Sequence, residues 1–120
     1  MTFTSWPEPS ARIPLEHIGP TVPPEQLISG DPIASRLRIH AEGAVSSGLW
    51  EVTPGEFVSI KDNMTEVMHF ISGAGTIEHP DGTITTIEPG AVLVVGPGWR
   101  GIWRVSETTR KFFVAYQTAA

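Results

Sequence analysis

The chain has 120 residues, a formal net charge of −5 and no cysteine, and these values exclude several classes of protein. A chain of this length forms one domain around one core. Without cysteine it has no disulfide, no thiolate nucleophile and no zinc site built on Cys ligands. Its eight Lys and Arg residues are scattered rather than clustered, which argues against nucleic acid as a partner.

The N-terminal segment shows neither the basic region nor the apolar region of an export signal. No stretch of the sequence approaches the roughly 18 uninterrupted apolar residues that a membrane-spanning helix needs. We therefore expect a cytoplasmic protein with no membrane partner.

The first 35 residues form a segment of distinct composition, since they hold seven of the eleven prolines. Each proline fixes φ and removes a backbone donor, which favours an extended chain. The segment also carries apolar residues that a free tail would not need: Ile13, Leu15, Ile18, Val22, Leu27 and Ile28. We predict a Pro-rich arm over residues 1–35 that packs on its own barrel or on a partner subunit, with one helical turn at 23–27.

From residue 36 onward, short apolar runs alternate with turn sequences rich in Gly and Pro. The predicted strands cover residues 36–42, 46–53, 56–61, 66–72, 75–79, 83–87, 91–95, 101–106 and 111–117. The dipeptide Asp81-Gly82 is the strongest hairpin signal, and Ser72-Gly73 is expected to form another turn. This pattern predicts an all-β fold, a single-domain jelly-roll barrel over residues 36–120.

Two segments of the predicted barrel carry a family resemblance. The run from Gly55 through Glu66 to Gly73, and the run from Gly90 through Gly98 to Trp103, resemble the two conserved motifs of the cupin superfamily. Over about residues 45–117 the sequence is similar to the branch that includes (S)-ureidoglycine aminohydrolase and the ethanolamine-utilisation cupin. The resemblance implies an RmlC-like jelly-roll barrel.

The resemblance also implies where a metal would bind. In the superfamily, two His and one Glu of the first motif and one His of the second hold a divalent metal. The corresponding positions here are Lys61, Asn63, Glu66 and Gly101, so three of the four ligands are replaced. Since manganese, iron or zinc sites need at least three protein ligands, we expect no metal cofactor. Glu66, Asn63 and His69 are the weak candidates if a metal does bind.

Alternation of side chains along strands assigns residues to the barrel interior. The candidate substrate-binding residues are Lys61, Asn63, Trp50, Trp103, Tyr116, Met68 and Phe57. Gly48 and Gly101 are expected to leave space beside the two Trp rings.

Glu66 is the candidate catalytic residue. Burial in an apolar barrel raises the pKa of a carboxyl group, which would suit Glu66 to proton transfer near neutral pH. The structural alternative is that Glu66 simply pairs with Lys61 or Arg104. His69, three residues further on, falls on the opposite face of the strand.

Three functions are compatible with these residues. The first is a metal-independent lyase, isomerase or hydrolase that binds a small polar metabolite and uses Glu66 as acid and base. The second is a non-catalytic cupin that binds a ligand or supports assembly. The third is a residual metal-dependent enzyme of the aminohydrolase type. The outward apolar residues Val58, Ile60 and Ile71 predict a homodimer.

Overall fold

The structure is a computed structural model in which residues 1–117 are described. Its strands are β1 (Glu16–Pro20), β2 (Leu27–Gly30), β3 (Ile33–Glu42), β4 (Val45–Val52), β5 (Gly55–Lys61), β6 (Met64–Glu78), β7 (Ile84–Ile87), β8 (Val92–Val95) and β9 (Trp99–Gln117). A short 3-10 helix, Pro24–Gln26, occupies the position of the predicted helical turn. Within the described range, no helix is long and apolar enough to cross a membrane. The predicted all-β fold is confirmed.

The long strand β9 organises the sheet, whose order is β1-β3-β4-β9-β5-β2. The first part of β9 pairs with β5 and the last part with β4, while β6 pairs with both parts and with β7 and β8. The sheet therefore curls around one apolar core. That core consists of Val52, Phe57, Met68, Phe70, Ile77, Ile87, Val95, Trp103 and Val105.

Two predicted interruptions are wrong, because β6 and β9 each run without a break. The turn expected at residues 72–73 is a series of register shifts inside β6. There Gly73 has a φ of 116°, and a Cβ on it would overlap Thr109 of β9. Glycine at this point thus allows a bulge and a close approach of two strands rather than a turn. In β9, residues 107–110 continue the strand.

The hairpin predicted at Asp81-Gly82 is confirmed. Gly82 has a φ of 87°, and its N–H donates to the carbonyl oxygen of His79 at 2.9 Å. Asp81 Oδ1 accepts hydrogen bonds from the Thr83 N–H at 3.0 Å and from the Thr83 hydroxyl at 2.7 Å. The Asp side chain therefore closes the turn that the Gly backbone allows.

The Pro-rich arm lies on the barrel of its own chain. Strand β1 pairs with β3, and β2 pairs with β5. Gln26 of the 3-10 helix donates from Nε2 to the carbonyl oxygen of Val58 at 2.9 Å. These bonds hold the segment between β1 and β2 across one side of the barrel, where it contributes to the site described below.

Arg110 fastens the earliest part of the arm to the outer face of β9. Its Nη1 donates to the carbonyl oxygens of Ser10 at 2.8 Å and Ile13 at 2.9 Å, and its Nε donates to Glu51 Oε1 at 3.0 Å. Ile13 is itself buried. The arm is therefore attached to the barrel at this point by hydrogen bonds that surround a buried apolar residue.

Candidate functional site

A cavity of about 270 Å³ lies inside the barrel. Its volume is that of about nine water molecules in the liquid, which suits a ligand smaller than a typical drug. The arm and strands β4, β5, β6 and β9 form its walls. The residues that line it are Thr21, Val22, Pro23, Gln26, Trp50, Phe57, Ser59, Ile60, Lys61, Glu66, Trp103, Lys111 and Phe113.

Glu66 binds two lysines in this cavity. Lys111 Nζ donates to Glu66 Oε2 at 2.5 Å, and Lys61 Nζ lies 3.1 Å from Glu66 Oε1. Glu66 is 5% exposed and Lys111 4% exposed. The sequence contains only two lysines, so every lysine of the chain contacts this one carboxylate. The centre is thus a cluster of two cations and one anion, in which Glu66 and Lys111 are buried and Lys61 is half-buried.

Aromatic rings surround the ammonium group of Lys111. Its Nζ lies 4.7 Å from the ring centroid of Trp50, 5.1 Å from that of Trp103 and 5.9 Å from that of Phe113. The electron-rich faces of these rings attract the cation. The Sδ of Met68, a weak acceptor, lies 3.6 Å from the same nitrogen.

Burial lowers the pKa of Lys111 to about 8, because the charged form loses its hydration. The carboxylate of Glu66 opposes this change, whereas the charge of Lys61 adds to it. For Glu66 burial alone raises the pKa, but the charges and hydrogen bonds of Lys111 and Lys61 outweigh it and hold the pKa below its usual value of 4.5. The expectation of a raised pKa at Glu66 is therefore wrong, because it took no account of Lys111.

The structure places most of the predicted binding residues around the cavity. Trp50, Phe57, Lys61 and Trp103 line it together with Glu66. Met68 is fully buried and contacts Lys111 without appearing in the cavity wall. The pairing of Glu66 with Lys61 is also present, so the structural alternative for Glu66 holds alongside its place in a cavity.

Three other candidates lie away from the cavity. Asn63 is exposed in the turn between β5 and β6, where its φ of 53° is one that Asn tolerates. His69 is exposed on the outer face of β6, opposite Glu66. Tyr116 is 42% exposed. Arg104 pairs with carboxylates other than Glu66, at Glu56 and Glu78.

The inward position expected for Tyr116 is wrong because β9 has no break. Trp103 and Val105 face inward, Glu107 is exposed, and from Lys111 to Ala115 the odd-numbered residues face inward again. Lys111 and Phe113 therefore point to the cavity. Sequence reasoning missed Lys111 for the same reason, although carrying the alternation across residues 107–110 would have found it.

The arm residues of the cavity wall were also missed. Thr21, Val22, Pro23 and Gln26 close one side of the cavity. Their sequence signals an extended segment, but nothing in it indicates which strands it crosses.

The expected space beside the glycines is wrong as well. A Cβ on Gly101 would overlap the ring of Trp99, and a Cβ on Gly48 would overlap the carbonyl oxygen of Leu37. Both glycines therefore permit close packing of neighbouring groups. The space for a ligand lies instead beside Lys61 and the aromatic wall.

The cavity does not supply a suitable set of metal ligands. Among residues 1–117, no three His, Asp or Glu side chains lie together in a group that could hold a metal ion. Both oxygens of Glu66 face ammonium groups, which repel a divalent cation. Lys61, which replaces a His ligand of the first motif, thus puts a positive charge where a metal would need an electron-pair donor.

Comparison with known families and structures shows to which family this barrel belongs. The family profile described as the EutQ-like cupin domain matches residues 39–113. Comparison with curated protein sequences found no significant match. The solved structures that share the fold at low sequence identity include the following three.

A protein of unknown function of the DUF861 family from Pseudomonas syringae pv. tomato has a TM-score of 0.77 at 24% identity, over 86% of this chain and 44% of its own. The EutQ protein of Clostridium difficile has a TM-score of 0.62 at 18% identity, over 72% of this chain and 64% of its own. Ectoine synthase from P. lautus has a TM-score of 0.63 at 21% identity, over 79% of this chain and 70% of its own.

The likenesses to these structures concern the fold alone. The chain spans less than half of the Pseudomonas protein and about two thirds of the Clostridium protein. The family profile, in contrast, covers more than half of this chain and includes every barrel residue of the Lys-Glu-Lys centre. The chain belongs to the EutQ-like cupin domain family.

Proposed function

We propose that the chain binds a small polar metabolite in its barrel cavity without a metal, and that Lys111 transfers a proton to or from that ligand. One observation carries the proposal: a lysine amine with a pKa of about 8 lies buried in an aromatic cavity. A general acid or base is most effective when its pKa lies near the working pH. The reaction class is that of a lyase, isomerase or hydrolase.

Glu66 positions Lys111 in this proposal. Its lowered pKa keeps it ionised at neutral pH, so it does not release or take up protons in that range. Its two oxygens hold the two ammonium groups on one side of the cavity. Glu66 is thus a positioning residue, and the acid and base role first expected for it passes to Lys111.

Two alternatives stand beside this proposal. A non-catalytic cupin would use the same cavity to bind a ligand, without any proton transfer by Lys111. A metal-dependent enzyme would need further donors in place of the two ammonium groups around Glu66. Ectoine synthase from P. lautus shares the fold and is named for a synthase, so a barrel of this shape is compatible with catalysis.

NMR of the two lysines tests the role of Lys111. Protein labelled with ¹³C at the lysine ε carbon gives two lysine signals, and Lys61→Met removes one of them. We expect the Lys111 signal to titrate with a pKa of about 8. A Lys111 signal that titrates near the ordinary value of 10.5 would overturn the proton-transfer role.

A thermal-shift screen tests binding and the metal alternative together. Chelator-treated protein is heated with small carboxylates, amines and ureides, and separately with Mn²⁺, Fe²⁺ and Zn²⁺. We expect a metabolite to raise the midpoint by mass action and Lys111→Met to reduce the rise. A rise with a metal that Glu66→Gln removes, with none for any metabolite, would contradict metal-free binding.

We also propose that the chain forms a homodimer through the outer face of β8, β6 and β9. Val67 pairs across the sheet with Val94, and His69 lies between Val92 and Phe112. Val92 and Val94 are 63% and 59% exposed. Contiguous exposed apolar side chains of this kind favour association. Of the residues first expected at an interface, Ile60 lines the cavity and is 38% exposed. Val58 and Ile71 are half-buried.

Light scattering tests the dimer. We expect a dimeric mass at micromolar concentration and a monomeric mass for Val94→Glu. Ile84→Glu is the matched control, because Ile84 is equally apolar and 52% exposed but lies on β7. A monomeric mass for the unmodified chain would contradict the proposal.

A further inference from the structure

We propose that the ligand of this cavity is a small planar monoanion, a carboxylate carried by an aromatic or unsaturated carbon skeleton. The inference rests on the proposed function, since it takes the cavity as a binding site and names the chemical class of its ligand. Three features of the cavity carry it: the charge balance, the free hydrogen-bond donors and the shape of the walls.

The charge of the cavity is the first feature. Of the residues within 1–117 that line it, only Lys61, Lys111 and Glu66 are charged. Two ammonium groups and one carboxylate leave a net charge of one positive unit when both lysines are protonated. Inside a protein such a charge is poorly screened by water and favours an ion of opposite sign. A single ligand carboxylate would make the cluster neutral, whereas a cationic ligand would add repulsion.

The free donors are the second feature. The indole N–H of Trp103 and the hydroxyl of Thr21 are buried without a hydrogen-bond partner among the described residues. Both residues belong to the cavity wall. Buried donors normally have acceptors. A ligand that brings acceptor oxygens, as a carboxylate does, could satisfy them together with the ammonium groups.

The walls are the third feature. The rings of Phe57 and Trp103 stack with centroids 5.8 Å apart and planes 18° apart, and Trp50 meets Trp103 edge to face at 5.6 Å. With Phe113, these rings form the aromatic sides of the cavity. A flat unsaturated skeleton makes more contact with such sides than a puckered ring or a branched chain. The volume of about 270 Å³ accommodates a ligand with one small ring.

Three probes of one shape separate charge from size. Benzoate, benzamide and benzamidine share a carbon skeleton and the same number of heavy atoms, and near neutral pH they are anionic, neutral and cationic. Calorimetric titration of each into the protein measures its affinity. We expect benzoate to bind roughly tenfold more tightly than benzamide, the equivalent of about 1.4 kcal/mol. Benzamidine should not bind measurably.

Variants and one shape control complete the test. Lys111→Met and Lys61→Met should each remove the preference for benzoate over benzamide. The two variants serve as independent checks, because Lys61 is less buried than Lys111 and is the safer to replace. Cyclohexanecarboxylate, which is not planar, should bind more weakly than benzoate.

The outcomes separate this inference from the proposed function. Binding of benzamide or benzamidine as tight as that of benzoate would refute an anionic ligand, yet it would leave a working binding cavity. Binding of cyclohexanecarboxylate as tight as that of benzoate would refute the planar class. Failure of all four compounds to bind would overturn the inference, while the lysine titration decides separately whether Lys111 can transfer a proton.

Discussion

Replacing Lys111 with Met should change the pH dependence of stability in a defined direction. The pKa of Lys111 is lowered from 10.5 to about 8, because burial disfavours its charged form. Between these two pH values the unfolded chain holds a proton at Lys111 that the folded chain has released. The free energy of unfolding of the unmodified protein must therefore rise with pH in this interval.

The pKa difference sets the size of the effect. Each pKa unit corresponds to about 1.4 kcal/mol, so the lowering from 10.5 to about 8 amounts to about 3 kcal/mol at most. This stability is missing at pH 7 and is gained as the pH approaches 10.5. A Met at position 111 has no ammonium group and therefore no cost of burying a charge. It also leaves Glu66 paired with Lys61. We therefore expect Lys111→Met to be at least as stable as the unmodified chain at pH 7.

Urea denaturation at several pH values from 7 to 10.5 measures this effect as a difference between the two proteins. The free energy of unfolding is plotted against pH for the unmodified chain and for Lys111→Met. Subtracting one curve from the other cancels the titration of the groups that both proteins contain. Lys61→Met is the control: the rise should persist there but begin at higher pH, because Lys61 helps to lower the pKa of Lys111. A difference that stays constant across the pH range, or a loss of more than about 2 kcal/mol in Lys111→Met at pH 7, would refute the reasoning.

Three other substitutions give separate predictions. Glu66→Gln should cost about 2 kcal/mol at pH 7, since buried Lys111 and half-buried Lys61 lose their partner. The substitution should also remove part of the loss of stability below about pH 4.5, because the lowered pKa of Glu66 makes protonation oppose folding. Urea denaturation at acid pH would show this. Gly101→Ala should lower stability by about 1–3 kcal/mol, because its Cβ overlaps the ring of Trp99; an unchanged melting temperature would contradict this. Arg110→Met should free the start of the arm and speed proteolysis there, read by mass spectrometry.

The sequence was sufficient for the fold because its signals are local. Gly-rich turns, alternation and the motif around Glu66 indicate a closed antiparallel barrel, and Asp81-Gly82 forms the expected hairpin. The same local reading failed at Gly73. A glycine in a turn and a glycine in a bulge have the same preference for positive φ, and only the approach of Thr109 distinguishes them.

The site was predicted less completely because its charges come from distant parts of the chain. Glu66 and Lys61 are near in sequence, and their pairing was foreseen as an alternative. Lys111 is 45 residues from Glu66 and meets it only because β9 lies beside β6. The unforeseen ammonium group of Lys111 acts together with that of Lys61 to lower the pKa of Glu66, against the effect of burial.

The neighbouring cations Arg110 and Lys111 have a further consequence for how β9 settles into the barrel. Arg110 faces outward and holds the arm, while Lys111 faces inward and holds Glu66. A slip of β9 by one residue would exchange them, placing the bulkier guanidinium in the cavity and leaving the arm without its anchor. A misaligned β9 would thus lose both the attachment of Arg110 to the arm and that of Lys111 to Glu66. The same dipeptide that charges the site therefore disfavours a misaligned β9.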